Sequence, residues 1–289
     1  MKIHTRAHQA IAVLRQRLAA HSRATAMNLL FPVVAGAVCW ELLYGACGFA
    51  LRRLAATPGV VLSDPGASKE KLARLGASYV VALVHALVVG LRGVWHVYAL
   101  LDAPIGAKLA IPDASSPWHA AAAATETTNV LFLSWLLYDL AHVLLSFPAL
   151  GAADTVAHHA GFICASAICG AHRILPFAFG WLIVGELSSP LLNVRWLLIQ
   201  SGRGASPLLQ RINVGFALAF VAFRVALGAA GMAHLAVHRA ALSVLDGVVP
   251  SALLALVLVV FLPAGYSLNL VWLSKIAKMA RGTDAKKKK

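Results

Sequence analysis

Charge is what this chain has least of. Only 12% of its 289 residues are Asp, Glu, Lys or Arg, against about 25% in a soluble domain, which excludes an ordinary water-soluble fold. Acidic groups are scarcest, 11 against 25 basic, and none falls within residues 1–26. The four cysteines, Cys39, Cys47, Cys164 and Cys169, all stand inside apolar runs. That excludes a disulfide framework or a zinc site and reads them as small buried hydrophobes. Segments of alternating polarity are absent, which excludes a transmembrane β-barrel. No His-x-x-His-His box occurs, so no di-iron set is expected; His234 and His238, four apart, could share a ligand face, but His238 is better placed at an aqueous boundary. No tightly bound cofactor is expected. The net charge of +14 lies between and beside apolar runs, not in a soluble basic domain. It therefore points to anionic lipid headgroups and membrane topology, and not to nucleic acid.

What the chain has in abundance is apolar sequence: 60% hydrophobic residues and a mean hydropathy of +0.77. Several runs reach the ~20 residues that cross a bilayer, and backbone in lipid must satisfy itself, so the spans are helices. The expected fold is all-α and polytopic, with about seven spans near 27–51, 77–101, 128–148, 155–171, 174–200, 212–238 and 249–275. Residues 1–26 read as a basic amphipathic helix on the membrane surface. Residues 27–75 supply an extra span and a basic loop, 76–275 a six-helix bundle, and 276–289 a basic tail. Lys and Arg concentrate in the first loop, the 201–211 loop and the C-terminus, while the opposite loops carry Lys108, Arg173 and Arg239. The positive-inside rule then puts the C-terminus in the cytosol, although the basic N-terminal helix argues the other way. Its Arg-rich, acid-free composition also keeps a mitochondrial membrane as an alternative address. A homo-oligomer is compatible with this reading.

Ionisable side chains stay in hydrocarbon only when paired, hydrated or used, so they mark the candidate site. Asp139 and His142 are three apart, on one face of a helix. A carboxylate beside an imidazole fixes its tautomer for general-base work, or the two simply bond between helices. His158 and His159 are adjacent and point about a third of a turn apart, so one can face a cavity while the other bonds a neighbour. Glu186 precedes Ser188-Ser189-Pro190. Proline frees a carbonyl and the serines re-satisfy such groups, so a break in the helix is expected. Glu186, Asn193 and Arg195 would line a polar pocket there, with Arg224 or Arg92 as the partner of Glu186. Arg92 is alternatively positioned to meet a phosphate or carboxylate headgroup.

The order Tyr138-Asp139-Leu140, then His158-His159, then Glu186-Leu187-Ser188-Ser189-Pro190-Leu191-Leu192-Asn193-Val194-Arg195-Trp196 resembles the TLC domain. That domain is shared by ceramide synthases and translocating-chain-associated membrane proteins. The resemblance implies six helices around a lipid-accessible pocket in the membrane of the endoplasmic reticulum, and a role in lipid metabolism. In ceramide synthases the paired histidines lie where acyl groups leave coenzyme A, which implies acyl-CoA as a co-substrate, a base at His158 or His159, Asp139 and His142 in support, and Arg195 or Arg173 near the CoA phosphates. The acidic stretch that follows the pair in ceramide synthases is replaced here by apolar Cys164 to Cys169, and the homeobox-like insert is absent. The similarity is therefore to the branch outside the ceramide synthases. Non-enzymatic lipid binding or regulation of membrane composition, and a proton-coupled transporter, are the competing readings. Lys286 and Lys287, fourth and third from the end, resemble a dilysine signal read by coat proteins; a polybasic tail drawn to anionic lipid is the alternative.

Overall fold

The computed structural model describes residues 2–56 and 68–287, with side chains described for 29–56, 68–279 and 281. The Pro58-Gly59 and Asp64-Pro65-Gly66 loop, the side chains of the N-terminal basic helix and those of the terminal lysines lie outside them. Regular structure among the described residues is helical, apart from two isolated β-bridges.

Helix α1 spans Lys2–Ala56 without interruption at residue 26. Helix α2, Lys69–Leu100, starts where Ser68 accepts the Lys71 N–H, with Glu70 in the first turn; cap and acid both favour the positive end of the helix dipole. A short α3, Ile105–Leu109, precedes α4, His119–Leu145, and α5, Ala153–His172. Then come α6, Pro176–Val184, a 3₁₀ turn at Gly185–Ser188, and α7, Ser189–Gln200. This is the expected break, with Pro190 in the first turn of α7. Helix α8, Pro207–Ala219, passes through a π-helical turn, Phe220–Ala226, into α9, Leu227–Val237. A second π turn, Leu256–Phe261, joins α10, Ser251–Ala255, to α11, Leu262–Lys287.

Among the described residues, six helical segments are long and apolar enough to cross a membrane: Leu29–Ala56, Lys69–Leu100, His119–Leu145, Pro176–Gln200, Pro207–Val237 and Ser251–Met279. The expected span at 155–171 is α5. It is not among the six, because its three histidines dilute an otherwise apolar run, yet its 20 residues reach about 30 Å. It packs against α1, α4 and α11. Helix α1 likewise packs on α2, α4 and α5.

Lipid offers no hydrophobic drive between helices, so close packing of small residues must hold them. Gly93 in α2 does this: a Cβ there would stand 2.8 Å from the Val184 backbone nitrogen, so only glycine lets α2 and α6 approach. Large apolar side chains such as Phe31, Leu91, Val214 and Val259 face outward, as a surface against acyl chains requires. The cysteines follow the same logic, and correct one expectation. All four are free, but Cys39 and Cys164 are exposed, not buried, because a thiol costs little against an apolar surround.

One irregular corner shapes the interior. Arg173 and Leu175 take left-handed backbone angles, φ 57° and 58°, costly for side-chain-bearing residues. Backbone bonds fix them in place: Ile111 N–H donates to Arg173 O at 3.0 Å and Leu175 N–H to Leu109 O at 2.7 Å. The chain thereby reverses sharply from α5 into α6 and opens a space between them.

Candidate functional site

That space is a cavity of about 520 Å³ between α5, α6, the second π turn and α11. Its walls are almost wholly apolar, among them Phe132, Phe162, Phe179, Val260 and Leu268, with Cys164, Ser166 and Cys169 on the α5 side. His158 is its one ionisable wall residue apart from those thiols. The pocket predicted as polar is thus mainly a hydrocarbon-like chamber with an imidazole in it.

The paired histidines divide as their spacing predicts. His158 makes no hydrogen bond among the described residues, and its Nδ1 is fully buried. Aromatic rings hold it, with Phe162 at 4.6 Å and Trp272 at 5.1 Å between centroids. His159 is buried and fully engaged. Its Nδ1 meets Thr155 O at 2.9 Å and its Nε2 meets Asp139 Oδ2 at 2.9 Å. Both partners accept, so both contacts are made only when the ring carries two protons or Asp139 carries one. Asp139 therefore reaches across to α5. Its same-helix neighbour His142 instead bonds Glu41 of α1 at 2.8 Å, with the Tyr44 ring 4.3 Å away. The same-face pairing of Asp139 with His142 gives way to these two interhelical contacts.

Glu186 stands in the 3₁₀ turn and faces Arg224 in the first π turn, one of its two anticipated partners. Arg224 Nη2 donates to Glu186 Oε1 at 3.0 Å and to Ser189 Oγ at 2.9 Å, and its Nε donates to Ser188 Oγ at 2.9 Å. Ser189 Oγ donates to Glu186 Oε2 at 3.1 Å, and Ser188 Oγ to Gly185 O at 2.9 Å. The serines thus satisfy the polar groups of the broken helix. Glu186 and Arg224 border a second, smaller chamber of about 40 Å³ that shares Phe132, Phe162, Leu182, Leu262 and Gly265 with the large one.

The remaining candidates lie apart from both chambers. Asn193 is buried in α7. Arg195 Nε bonds Asn213 of α8 at 2.9 Å. Arg173 forms a two-pronged contact with Glu126, at 2.8 and 3.2 Å. Arg92 Nε donates to Thr128 Oγ1 at 2.7 Å, an oxygen that also meets His96 Nε2 at 2.7 Å. Sequence reasoning missed Glu41, Glu126 and Thr128 as partners. Only the four-residue spacing of Arg92 and His96 hinted that one neighbour serves both. No group of His, Cys, Asp and Glu among the described residues is arranged to hold a metal.

A helical membrane protein with an apolar intramembrane cavity and one unpartnered histidine on its wall defines the class. Residues 77–278 match a family model described as the TLC domain. The match covers more than half of the chain, which belongs to the TLC-domain family, a multi-pass membrane family connected with lipids. The chain matches no curated protein, and it matches no solved structure.

Proposed function

We propose that the protein takes the acyl chain of a membrane lipid into the large cavity and holds the lipid's polar end at His158. The observation that carries this is one combination: an apolar chamber within the usual ligand-pocket range of about 300–1,000 Å³, with a histidine that no group among the described residues satisfies. A buried imidazole without a partner costs free energy, and a ligand hydroxyl, amine or carbonyl would offset that cost.

Acyl transfer is the chemistry this arrangement favours. A ring nitrogen of His158 would take the proton from an acceptor hydroxyl or amine as that group attacks the thioester carbonyl of acyl-coenzyme A. The C–S bond then breaks, and the imidazolium returns the proton to the departing thiolate. His159 and Asp139 act here as positioning residues that lock the first turns of α5 against α4. Arg195 and Arg173 are occupied elsewhere, and Lys275 is paired with Asp154 at 3.0 Å, so the CoA phosphates would be met by Lys278 and Arg281, beyond Trp272 on α11.

The test uses the full chain in lipid nanodiscs. Ala165→Trp, which fills the cavity from α5, should strip co-purifying lipid, whereas His158→Ala should cut acyl-CoA consumption by about 10²–10⁴-fold and leave the fold assembled. Retention of lipid by Ala165→Trp would overturn the cavity reading. Absent turnover with every acceptor, alongside histidine-dependent lipid binding, would leave binding alone as the function.

The address belongs to the same proposal: the endoplasmic reticulum membrane, with the C-terminus cytosolic and Lys286 and Lys287 read by coat proteins. Replacing both by serine should let a tagged protein leak toward the Golgi. Unchanged residence would favour an electrostatic tail, and mitochondrial import would favour the transit reading of residues 1–26.

A further inference from the structure

Beyond the apolar chamber, the small one beside it has chemistry of its own. It lies between Gly185-Glu186, the first π turn with Phe223 and Arg224, and the face of α11 carrying Tyr266 and Asn269. Arg224 uses Nε and Nη2 in its bonds to Glu186, Ser188 and Ser189, and its Nη1 makes none among the described residues. A guanidinium has five N–H donors, so donors remain. Asn269 Oδ1 is fully buried and has no partner among the described residues. Arg224 and Asn269 both line the chamber, so its wall residues bring an unspent donor and an unspent acceptor. Its two charges, Glu186 and Arg224, neutralise each other at 3.0 Å, so it suits a neutral polar group better than an ion. Its volume of about 40 Å³ exceeds the ~10–15 Å³ that one water-sized group needs.

Two further features tie this chamber to the large one. They share five wall residues. The two π turns, often found at functional sites, each serve one: Phe220–Ala226 carries Arg224, and Leu256–Phe261 carries Val257, Val260 and Phe261. Helix α11 links the two ends of the arrangement. Tyr266, Asn269 and Trp272 are spaced by three and share a face, and Trp272 touches His158. Asn269 is therefore about 4.5 Å deeper along the helix than Trp272.

We infer that the Arg224–Asn269 chamber is a side pocket that selects a hydroxylated acyl chain, binding a hydroxyl in the half of the chain nearer its polar end. A hydroxyl both donates and accepts, so it can receive from Arg224 Nη1 while donating to Asn269 Oδ1; a methylene satisfies neither. The inference rests on the acyl-chain reading of the large cavity.

The experiment measures affinity of the full-length protein in nanodiscs for stearic acid and for its hydroxy isomers along the chain. Each is offered as the free acid and as an ester in phosphatidylcholine, which separates a free fatty acid from a membrane lipid as the source. One isomer with its hydroxyl in the carboxyl-proximal half should bind about tenfold more tightly than stearate in at least one form. Asn269→Leu should erase that preference while keeping stearate affinity within about twofold. Equal affinity of all isomers and stearate would overturn the side pocket but leave the cavity standing. A preference confined to the distal half, or one that survives in Asn269→Leu, would overturn the assignment to Asn269. No binding of stearate in any form would overturn the acyl-chain reading itself. The wild-type comparison across isomers decides the matter even if the variant fails to fold.

Discussion

Replacing Glu186 by glutamine tests whether the break in the α6–α7 helix is held by charge. Arg224 and Glu186 are only 12% and 14% exposed and stand 3.0 Å apart, within two segments long and apolar enough to cross the membrane. Removing one partner of a buried pair costs about 3–5 kcal/mol, because the other charge is stranded. Glutamine keeps a carbonyl oxygen that can accept from Nη2, which restores about 1 kcal/mol. The expected loss is therefore about 2–4 kcal/mol. Adding Arg224→Met removes the stranded charge and supplies a chain of similar length. The double variant should then be more stable than Glu186→Gln alone, by at least about 1 kcal/mol. Reversible unfolding of the reconstituted protein, followed as a complete double-mutant cycle, measures both quantities. A Glu186→Gln variant within about 0.5 kcal/mol of wild type, or a double variant whose loss is the sum of the two single losses, would refute the argument. Either result would mean that water or lipid headgroups already satisfy Arg224.

Gly93→Ala should lower stability by about 1–3 kcal/mol in the same unfolding assay, because its Cβ would meet the α6 backbone at Val184. Gly45→Ala, with nothing within 4 Å, is the matched control and should be neutral or stabilising. His85→Phe should raise stability by about 1–2 kcal/mol and leave lipid retention unchanged. His85 is fully buried with both ring nitrogens unpartnered, stacked on Trp135 at 3.8 Å, and phenylalanine keeps the stack without the unpaired polar atoms.

The sequence made the class of fold and most of the spans legible, because an excess of apolar residues leaves no alternative to helices in lipid. Helix starts were less legible. Helix α4 begins at His119, nine residues before its expected position at 128, because Ala120 to Ala124, strong helix formers, extend it beyond the apolar run. The Ser188-Ser189-Pro190 break was readable from local chemistry, as was the pairing of Glu186 with an arginine on another helix. The partner of Asp139 was not. Spacing along one helix offers His142, but it is silent about the helix packed alongside, and there His159 has the better geometry. Glu41 stayed hidden for the same reason: its role depends on α1 packing against α4. The π turns carry no sequence signature comparable with a proline, so the structure alone puts Arg224 in one.

Charge and polarity in the apolar runs drew attention to a dozen side chains, and several of them have a close partner inside the protein. Arg92, Arg173, Arg195, His142, His159 and Asp139 each have a protein partner at 2.7–2.9 Å, which is what the cost of burying a polar group demands. What separates His158 from them is the lack of a partner together with open space beside it. His85 shares the first property and lacks the second: its ring is enclosed by Trp40, Phe132 and Trp135, and neither chamber touches it. Arg224 and Asn269 have both properties in part, each with polar capacity left over and a small chamber between them. Polarity in a membrane segment is thus a poor guide to function by itself. Unspent hydrogen-bonding capacity beside an empty volume is the more selective criterion, and it is the ground on which His158 in the large cavity and Arg224 with Asn269 in the small one are proposed for test.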